Sequence, residues 1–257
     1  MSGIVVRNEG AVRVVMIDRP DRRNAVDHPT AVALYEAFLA FDADESAHVA
    51  ILTGADGHFC GGADLQAMAG GELRPLARDG GLGPMGPTRM VLGKPVIAAV
   101  EGYAVAGGLE LAAWCDLRVA GQSAIFGVFC RRFGVPLIDM GTIRLPRLIG
   151  GGRAAEMILT GRAVGAAEAL AWGLVTQVVA DGEALAAAMV LAQSLCAFPQ
   201  AALRGDRLSM HQQWALGHDA AIANEMEHGL AAISQGLEGA VRFSAGVGRH
   251  GGDATAR

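Results

Sequence analysis

Two glycine-rich segments carry the chemistry that is most legible in this chain. Phe59-Cys60-Gly61-Gly62-Ala63-Asp64-Leu65 and Glu101-Gly102-Tyr103-Ala104-Val105-Ala106-Gly107-Gly108-Leu109-Glu110-Leu111 each follow a short apolar run. Each places glycine where a backbone turns sharply or approaches a ligand closely. Such a pair could direct two backbone N–H groups at one substrate atom. Fixed donors in a site that excludes water suit negative charge developing on a carbonyl oxygen, so acyl chemistry is the expectation. If Gly107 opens a helix, its N–H has no intrahelical acceptor and lies at the positive end of the macrodipole. Glu110, three residues on, leans back over that first turn and becomes a candidate acid/base. The helix start favours its anion and an apolar site its neutral form. Without the neighbouring motif it reads as an ordinary glutamate complementing the helix dipole.

Taken in order and spacing, these segments resemble the enoyl-CoA hydratase/isomerase family, also called the crotonase superfamily. The resemblance extends from Asp18-Arg19-Pro20 and Arg23-Asn24-Ala25-Val26 to Gly141-Thr142-Ile143-Arg144-Leu145-Pro146-Arg147-Leu148-Ile149-Gly150. It continues through Leu159-Thr160-Gly161-Arg162 and Ala171-Trp172-Gly173-Leu174-Val175. It implies an α/β fold, a crotonase-like spiral of ββα turns with a C-terminal helical trimerisation region. Residues 1–195 would form the core with its CoA and acyl sites, and residues 196–257 the helical region. The resemblance assigns the oxyanion donors to the N–H groups of Ala63 and Gly107 and the first catalytic carboxylate to Glu110. CoA and substrate contacts would fall on Arg23, Ala25, Ala63, Asp64, Leu65, Gln66, Gly107 and Cys130, with Arg22 and Arg23 near the CoA phosphates or simply on a solvated turn.

One position departs from the family pattern. In Phe126-Gly127-Val128-Phe129-Cys130-Arg131-Arg132-Phe133-Gly134, Cys130 stands where hydratases of the family carry a second catalytic glutamate. A thiol is a weak donor with an ordinary pKa of about 8.5 and does not replace a carboxylate. A small buried thiol is the expectation, although Arg131 and Arg132 could lower its pKa. Asp139-Met140-Gly141-Thr142 resembles a segment of the family's dienoyl-CoA isomerases, which makes Asp139 a candidate second acid; alternatively it pairs structurally with Arg144 or Arg147. The resemblance therefore implies an enoyl-CoA hydratase-like enzyme working through an oxyanion-stabilised enolate. Double-bond isomerisation is the alternative, and a non-catalytic CoA-binding scaffold a further one. No separate cofactor is expected, CoA being part of the substrate, and the family's homotrimers or dimers of trimers are the expected assembly.

Elements that would position these residues are readable in outline. Ala11–Ile17, Val49–Thr53, Pro95–Val100, Leu117–Ala120 and Ala124–Phe126 read as strands, and Asp27 or Thr30 caps a helix to about Phe41. Gly107 to Trp114, Ala184 to Ala197 and Asp219 to Leu237 read as helices. Between Ala69 and Gly93, Gly-Pro pairs suggest a mobile loop, either a tolerated insertion or a lid over the acyl chain.

Composition narrows the classes. At 257 residues and 52% hydrophobic content a large core is available, while a formal charge of −5 offers no basic footprint for nucleic acid. No apolar stretch suits a bilayer, and four scattered cysteines without a leader suggest reduced thiols and a cytoplasmic protein. Leu92-Gly93-Lys94-Pro95 is not a phosphate loop, a dinucleotide fingerprint is missing, and His28, His48 and His58 form no metal-ligand array.

Overall fold

Short runs that are apolar at every residue become buried strands, and the computed structural model, which describes residues 3–71 and 78–247, assembles them into two sheets. In chain order the elements are β1 (Ile4–Glu9), β2 (Val12–Ile17), α1 (His28–Ala43), β3 (Val49–Gly54) and α2 (Leu65–Ala69). There follow β4 (Val96–Val100), β5 (Tyr103–Val105), α3 (Gly107–Trp114), β6 (Leu117–Gly121), β7 (Ile125–Gly127), α4 (Gly141–Ile149) and α5 (Gly151–Thr160). The chain continues through β8 (Val164–Gly165), α6 (Ala166–Trp172), β9 (Gln177–Val179), α7 (Ala184–Ala197), α8 (Gln200–Gln212) and α9 (His218–Ser244).

The larger sheet has the order β1-β2-β3-β4-β6-β9 and is parallel except for the β1–β2 hairpin. The smaller has the order β5-β7-β8. Both faces of the larger sheet are covered. Val49, Ile51, Ile97 and Val119 share one apolar cluster with Ala184, Ala188 and Ala192 of α7. Those alanines recur every fourth residue, so they form one stripe, and their small size lets the helix lie close to the strands. The alternate residues Ala50, Leu52, Ala98 and Ala120 join Leu34, Phe38 and Leu109 in the other cluster, as the two-residue strand period requires.

The anticipated α3 and α7 have the observed bounds. Asp27 is the cap of α1, accepting from the Thr30 N–H at 2.9 Å, and the helix runs to Ala43 rather than Phe41. β7 lies one residue later than expected, and α9 begins one residue earlier and ends at Ser244. The expected loop from Ala69 to Gly93 is corrected in its second half. Residues 72–77 lie outside the described residues, but Met85, Thr88 and Leu92 are buried. Trp114 Nε1–H donates to the Met90 carbonyl at 3.0 Å, Arg207 to the Leu92 carbonyl at 2.6 Å, and the Gly93 N–H donates to Asp42 at 2.9 Å. This stretch is part of the core wall, its buried side chains fixed by these backbone hydrogen bonds.

α8 and α9 pack against each other, and Asp116 fastens α8 to the core by accepting from Arg207 and pairing with His211, both at 2.8 Å. Ile222, Met226, Leu230, Ile233, Leu237 and Val241 leave an exposed apolar face along α9. Among the described residues no single helix is long and apolar enough to cross a membrane.

Candidate active site

The two glycine-rich segments lie side by side because they pair as strands. Phe59 N–H donates to the Glu101 carbonyl at 2.8 Å, Cys60 N–H to Tyr103 at 2.8 Å, and Val105 N–H to Cys60 at 3.1 Å. On the other side, Val26 N–H donates to Gly62 at 2.8 Å and Asp64 N–H to Val26 at 2.9 Å. Among the described residues, the Ala63 N–H between these bonds has no acceptor. The register sets Gly62 (φ +97°) directly against the start of α3, where an added Cβ would lie 2.8 Å from Ala106 Cβ and 3.1 Å from Gly107 N. Gly108 is equally constrained, since a Cβ there would run into the Cys60 carbonyl.

Ala106 turns the chain into α3 with φ +53° and ψ −124°, a conformation that costs an L-residue about 1–3 kcal/mol. Its N–H is held by the Gly127 carbonyl at 2.8 Å, and its own carbonyl accepts from Leu109 at 3.1 Å and Glu110 at 3.3 Å. Gly107 N–H, like Ala63 N–H, has no acceptor among the described residues. Both residues line one cavity of about 320 Å³. Two donors at the mouth of a helix and the edge of a strand, both in an apolar cavity, are equipped to bind a carbonyl oxygen as it gains charge.

Glu110 and Asp139 line the same cavity, each only 2% exposed. Glu110 Oε1 accepts from the backbone N–H groups of Asp139 at 2.9 Å and Gly141 at 2.8 Å. These bonds come from the start of α4, so Glu110 does more than complement its own helix. Burial, and after it the negative charge of Asp139, pushes the Glu110 carboxyl up to about 7, against the opposing pull of those two N–H groups. The group can therefore give or take a proton near neutral pH.

Asp139 is placed by a clamp that spans more than fifty residues of sequence. Its Oδ1 accepts from the Met85 N–H at 2.9 Å and from the Thr88 hydroxyl. Arg144 binds the Asp139 carbonyl at 3.1 Å and the Thr88 carbonyl at 2.6 Å. Burial lowers the Arg144 pKa to about 10, which leaves it cationic at neutral pH. The clamp lays Met85 against Gly107, where a Cβ would come within 2.6 Å of the Met85 sulfur.

Cys130 lies on the 3-10 turn Phe129–Phe133 and lines the cavity at 7% exposure. Burial first, and the charge of Glu110 second, raise its pKa, so it is a neutral thiol. The lowering that Arg131 and Arg132 suggest does not prevail. Arg131 Nε donates to the Ile158 carbonyl at 3.1 Å, while Arg132 stacks 4.0 Å over the Phe129 ring and donates to Gly161 at 3.3 Å.

The remaining predicted residues divide between cavity and support. Leu65 lines the cavity; Gln66 is exposed on α2 and outside the lining. Asp64 is buried, caps α2 through Gln66 and Ala67 N–H groups at 3.1 Å, and pairs with Arg19 at 3.1 Å. Arg19 also holds Asp27 at 2.6 Å and the Ala25 carbonyl, tying the Arg23-Asn24-Ala25 turn to the Ala63 loop. Asn24 is fully buried and donates to the Ala55 and His58 carbonyls at 2.8 and 2.6 Å, whereas Arg22 and Arg23 point to solvent. Arg19, Thr88 and Met85 escaped the sequence reading. Only Arg19 sat in a quoted motif; the other two carry no local signature. Among the described residues no group of side chains could hold a metal ion.

Comparison with known proteins adds identity to this geometry. The enoyl-CoA hydratase/isomerase family pattern matches residues 7–243. A carnitinyl-CoA dehydratase of Salmonella typhi is 41% identical over 191 residues, 72% of this chain and 71% of its own. Solved structures of enoyl-CoA hydratases from Mycobacterium tuberculosis H37Rv and Mycobacterium marinum superpose with TM-scores of 0.88 and 0.89. Each is 34% identical, and the match covers 95% of this chain and 96% of the other.

Proposed function

This chain belongs to the enoyl-CoA hydratase/isomerase family, and from that premise we propose that it catalyses the reversible addition of water to a 2-enoyl-CoA thioester. The observation that carries the reading is a buried glutamate with a pKa near 7, sharing a mostly apolar cavity with two backbone N–H groups that lack acceptors among the described residues. The thioester oxygen accepts from Ala63 and Gly107, and the charge that reaches it in the enolate is held there. Each donor is worth about 3 kcal/mol in the transition state. In the dehydration direction Glu110 removes the Cα proton, the enolate re-forms the carbonyl, and the Cβ hydroxyl leaves as water after receiving a proton. Asp139 takes the place of the family's second carboxylate in handling the water proton. The name of the Salmonella relative, a dehydratase, supports this direction of chemistry.

Cys130 supports a second reading. A neutral thiol activates no water, whereas moving a double bond needs one carboxylate that carries a proton between carbons. A CoA-binding scaffold has less support, because it gains nothing from a carboxyl held near neutrality at a destabilising buried position. On this reading the turn Arg23 to Ala25 and the segment Asp64, Leu65 and Gln66 flank the CoA moiety, and no further cofactor takes part. The alternation of strands between two sheets supports a core spiral of ββα turns over residues 1–195. The exposed apolar face of α9 supports assembly as trimers or dimers of trimers through residues 196–257.

The deciding experiment incubates 2-enoyl- and 3-enoyl-CoA thioesters of several lengths with the protein in isotopically labelled water and analyses them by mass spectrometry. Labelled oxygen in the product supports the hydratase reading. Deuterium at carbon with no added oxygen replaces it with isomerisation. Tight binding without turnover, unchanged by Glu110→Ala, replaces both with the scaffold.

A further inference from the structure

Cys130 does not lie idle in this cavity. It lines the same wall-to-wall space as Glu110 and the two amide donors. Glu110 is 2% exposed, and both hydrogen bonds that its carboxylate accepts among the described residues fall on Oε1, which leaves Oε2 without one in a cavity that Cys130 shares. A thioester carbonyl bound to Ala63 and Gly107 withdraws electrons from a conjugated double bond, which makes the β-carbon an electrophile. A thiol is a softer and stronger nucleophile toward such a carbon than water. Apart from Asp139 the remaining lining is apolar, with Met85, Phe129 and Val135 among it.

Resting on the hydratase reading of the same site, we propose that Cys130 adds covalently and reversibly to bound 2-enoyl-CoA thioesters, Glu110 serving as its proton carrier. The sulfur forms a bond to the β-carbon while the π electrons move to the thioester oxygen as an enolate. The thiol proton passes to the Glu110 carboxylate and from there to the α-carbon as the enolate collapses. The sum is addition of S–H across the double bond, with nothing lost and no oxidant or reductant consumed. The reverse steps eliminate the thiol and return the free enzyme. The burial that keeps Cys130 protonated when the site is empty makes the carboxylate a necessary partner. Conjugated thioesters then act as time-dependent, reversible inhibitors, while saturated and 3-enoyl thioesters do not.

Intact-protein mass spectrometry after incubation with excess crotonyl-CoA tests this. The expected mass increase is that of the whole thioester including CoA, which separates addition from acyl transfer, where CoA is lost. Peptide mapping should place it on Cys130. Butyryl-CoA should give none, Cys130→Ser and Cys130→Ala none, and Glu110→Gln at least tenfold slower formation. Two variants at Cys130 guard against one that misfolds. Hydration is followed in parallel by absorbance of the conjugated double bond. Hydration without an adduct overturns the proposal and leaves the functional reading intact. An adduct on Cys60, Cys115 or Cys196, or one that Glu110→Gln forms at the wild-type rate, also overturns it. Neither binding nor hydration of crotonyl-CoA overturns the functional reading and the proposal together.

Discussion

Replacing Glu110 with glutamine should remove a large pH dependence of stability. The carboxyl has an ordinary value of 4.5 and about 7 in the folded protein, raised chiefly by burial and then by Asp139. Between these values the folded chain holds a proton that the unfolded chain has released. The unfolded state binds fewer protons there, so unfolding free energy falls as pH rises. The contribution is fully present below about pH 4.5, is lost progressively on the way to about pH 7, and is constant above. At about 1.4 kcal/mol per pH unit, the loss is on the order of 3 kcal/mol. Glutamine keeps a carbonyl to accept from Asp139 and Gly141 N–H but cannot titrate. Urea unfolding midpoints of wild type and Glu110→Gln, measured from pH 4 to pH 8, give the difference directly, since titrations elsewhere cancel. Glu110→Gln should gain about 3 kcal/mol relative to wild type across that range, or about 6–12 °C in melting temperature for a chain of this size. Parallel pH profiles for the two proteins would refute the argument, showing that Glu110 ionises in the folded state as freely as in water. The same ionisation sets activity. A rate limited by Glu110 as base should rise through about pH 7 and lose that limb in the variant.

Other expectations follow from backbone geometry and the clamp. Ala106→Gly relieves the strain at φ +53° by about 1–3 kcal/mol, less the entropy that glycine returns to the unfolded chain, and should raise the melting temperature by about 2–4 °C. Gly108→Ala should fail to fold or lose more than about 4 kcal/mol, because its Cβ meets the Cys60 carbonyl. Gly107→Ala first meets the Met85 side chain, which can shift where a backbone carbonyl cannot, and should fold with reduced turnover, so chemical denaturation and kinetics together separate the two. Thr88→Val removes the hydroxyl donor to Asp139 at a cost of about 1–3 kcal/mol, and should raise KM and speed hydrogen exchange at the Met85 amide.

What the sequence alone determined is local. Glycine tolerates conformations and approaches that other residues resist, so Gly61-Gly62 and Gly107-Gly108 announced tight backbone passages before any coordinates. The fixed geometry of a helix put Glu110 beside the Gly107 amide from spacing alone. The uninterrupted apolar runs at Val49–Thr53 and Pro95–Val100 identified buried strands for the same reason: burial on both faces leaves no alternation. Elements that lean on solvent were harder to read. β1 is mostly exposed and α8 mixes charge with a buried Gly205, so neither shows a clear period.

Tertiary structure decided what Asp139 does, because its partners Met85 and Thr88 are over fifty residues away and nothing in either segment names the other. It turned half of an expected loop into core wall and gave Asn24 a buried structural task in a turn that reads as a ligand contact. It settled the state of Cys130 as well. A small buried thiol is what the sequence leads one to expect, with Arg131 and Arg132 as neighbours that could lower its pKa, and here burial and the charge of Glu110 outweigh Arg131 and keep the thiol protonated. Backbone permission and helical spacing are properties of a few adjacent residues; a proton affinity is set by every charge and every missing water around a group, and those are known only once the chain has closed around it.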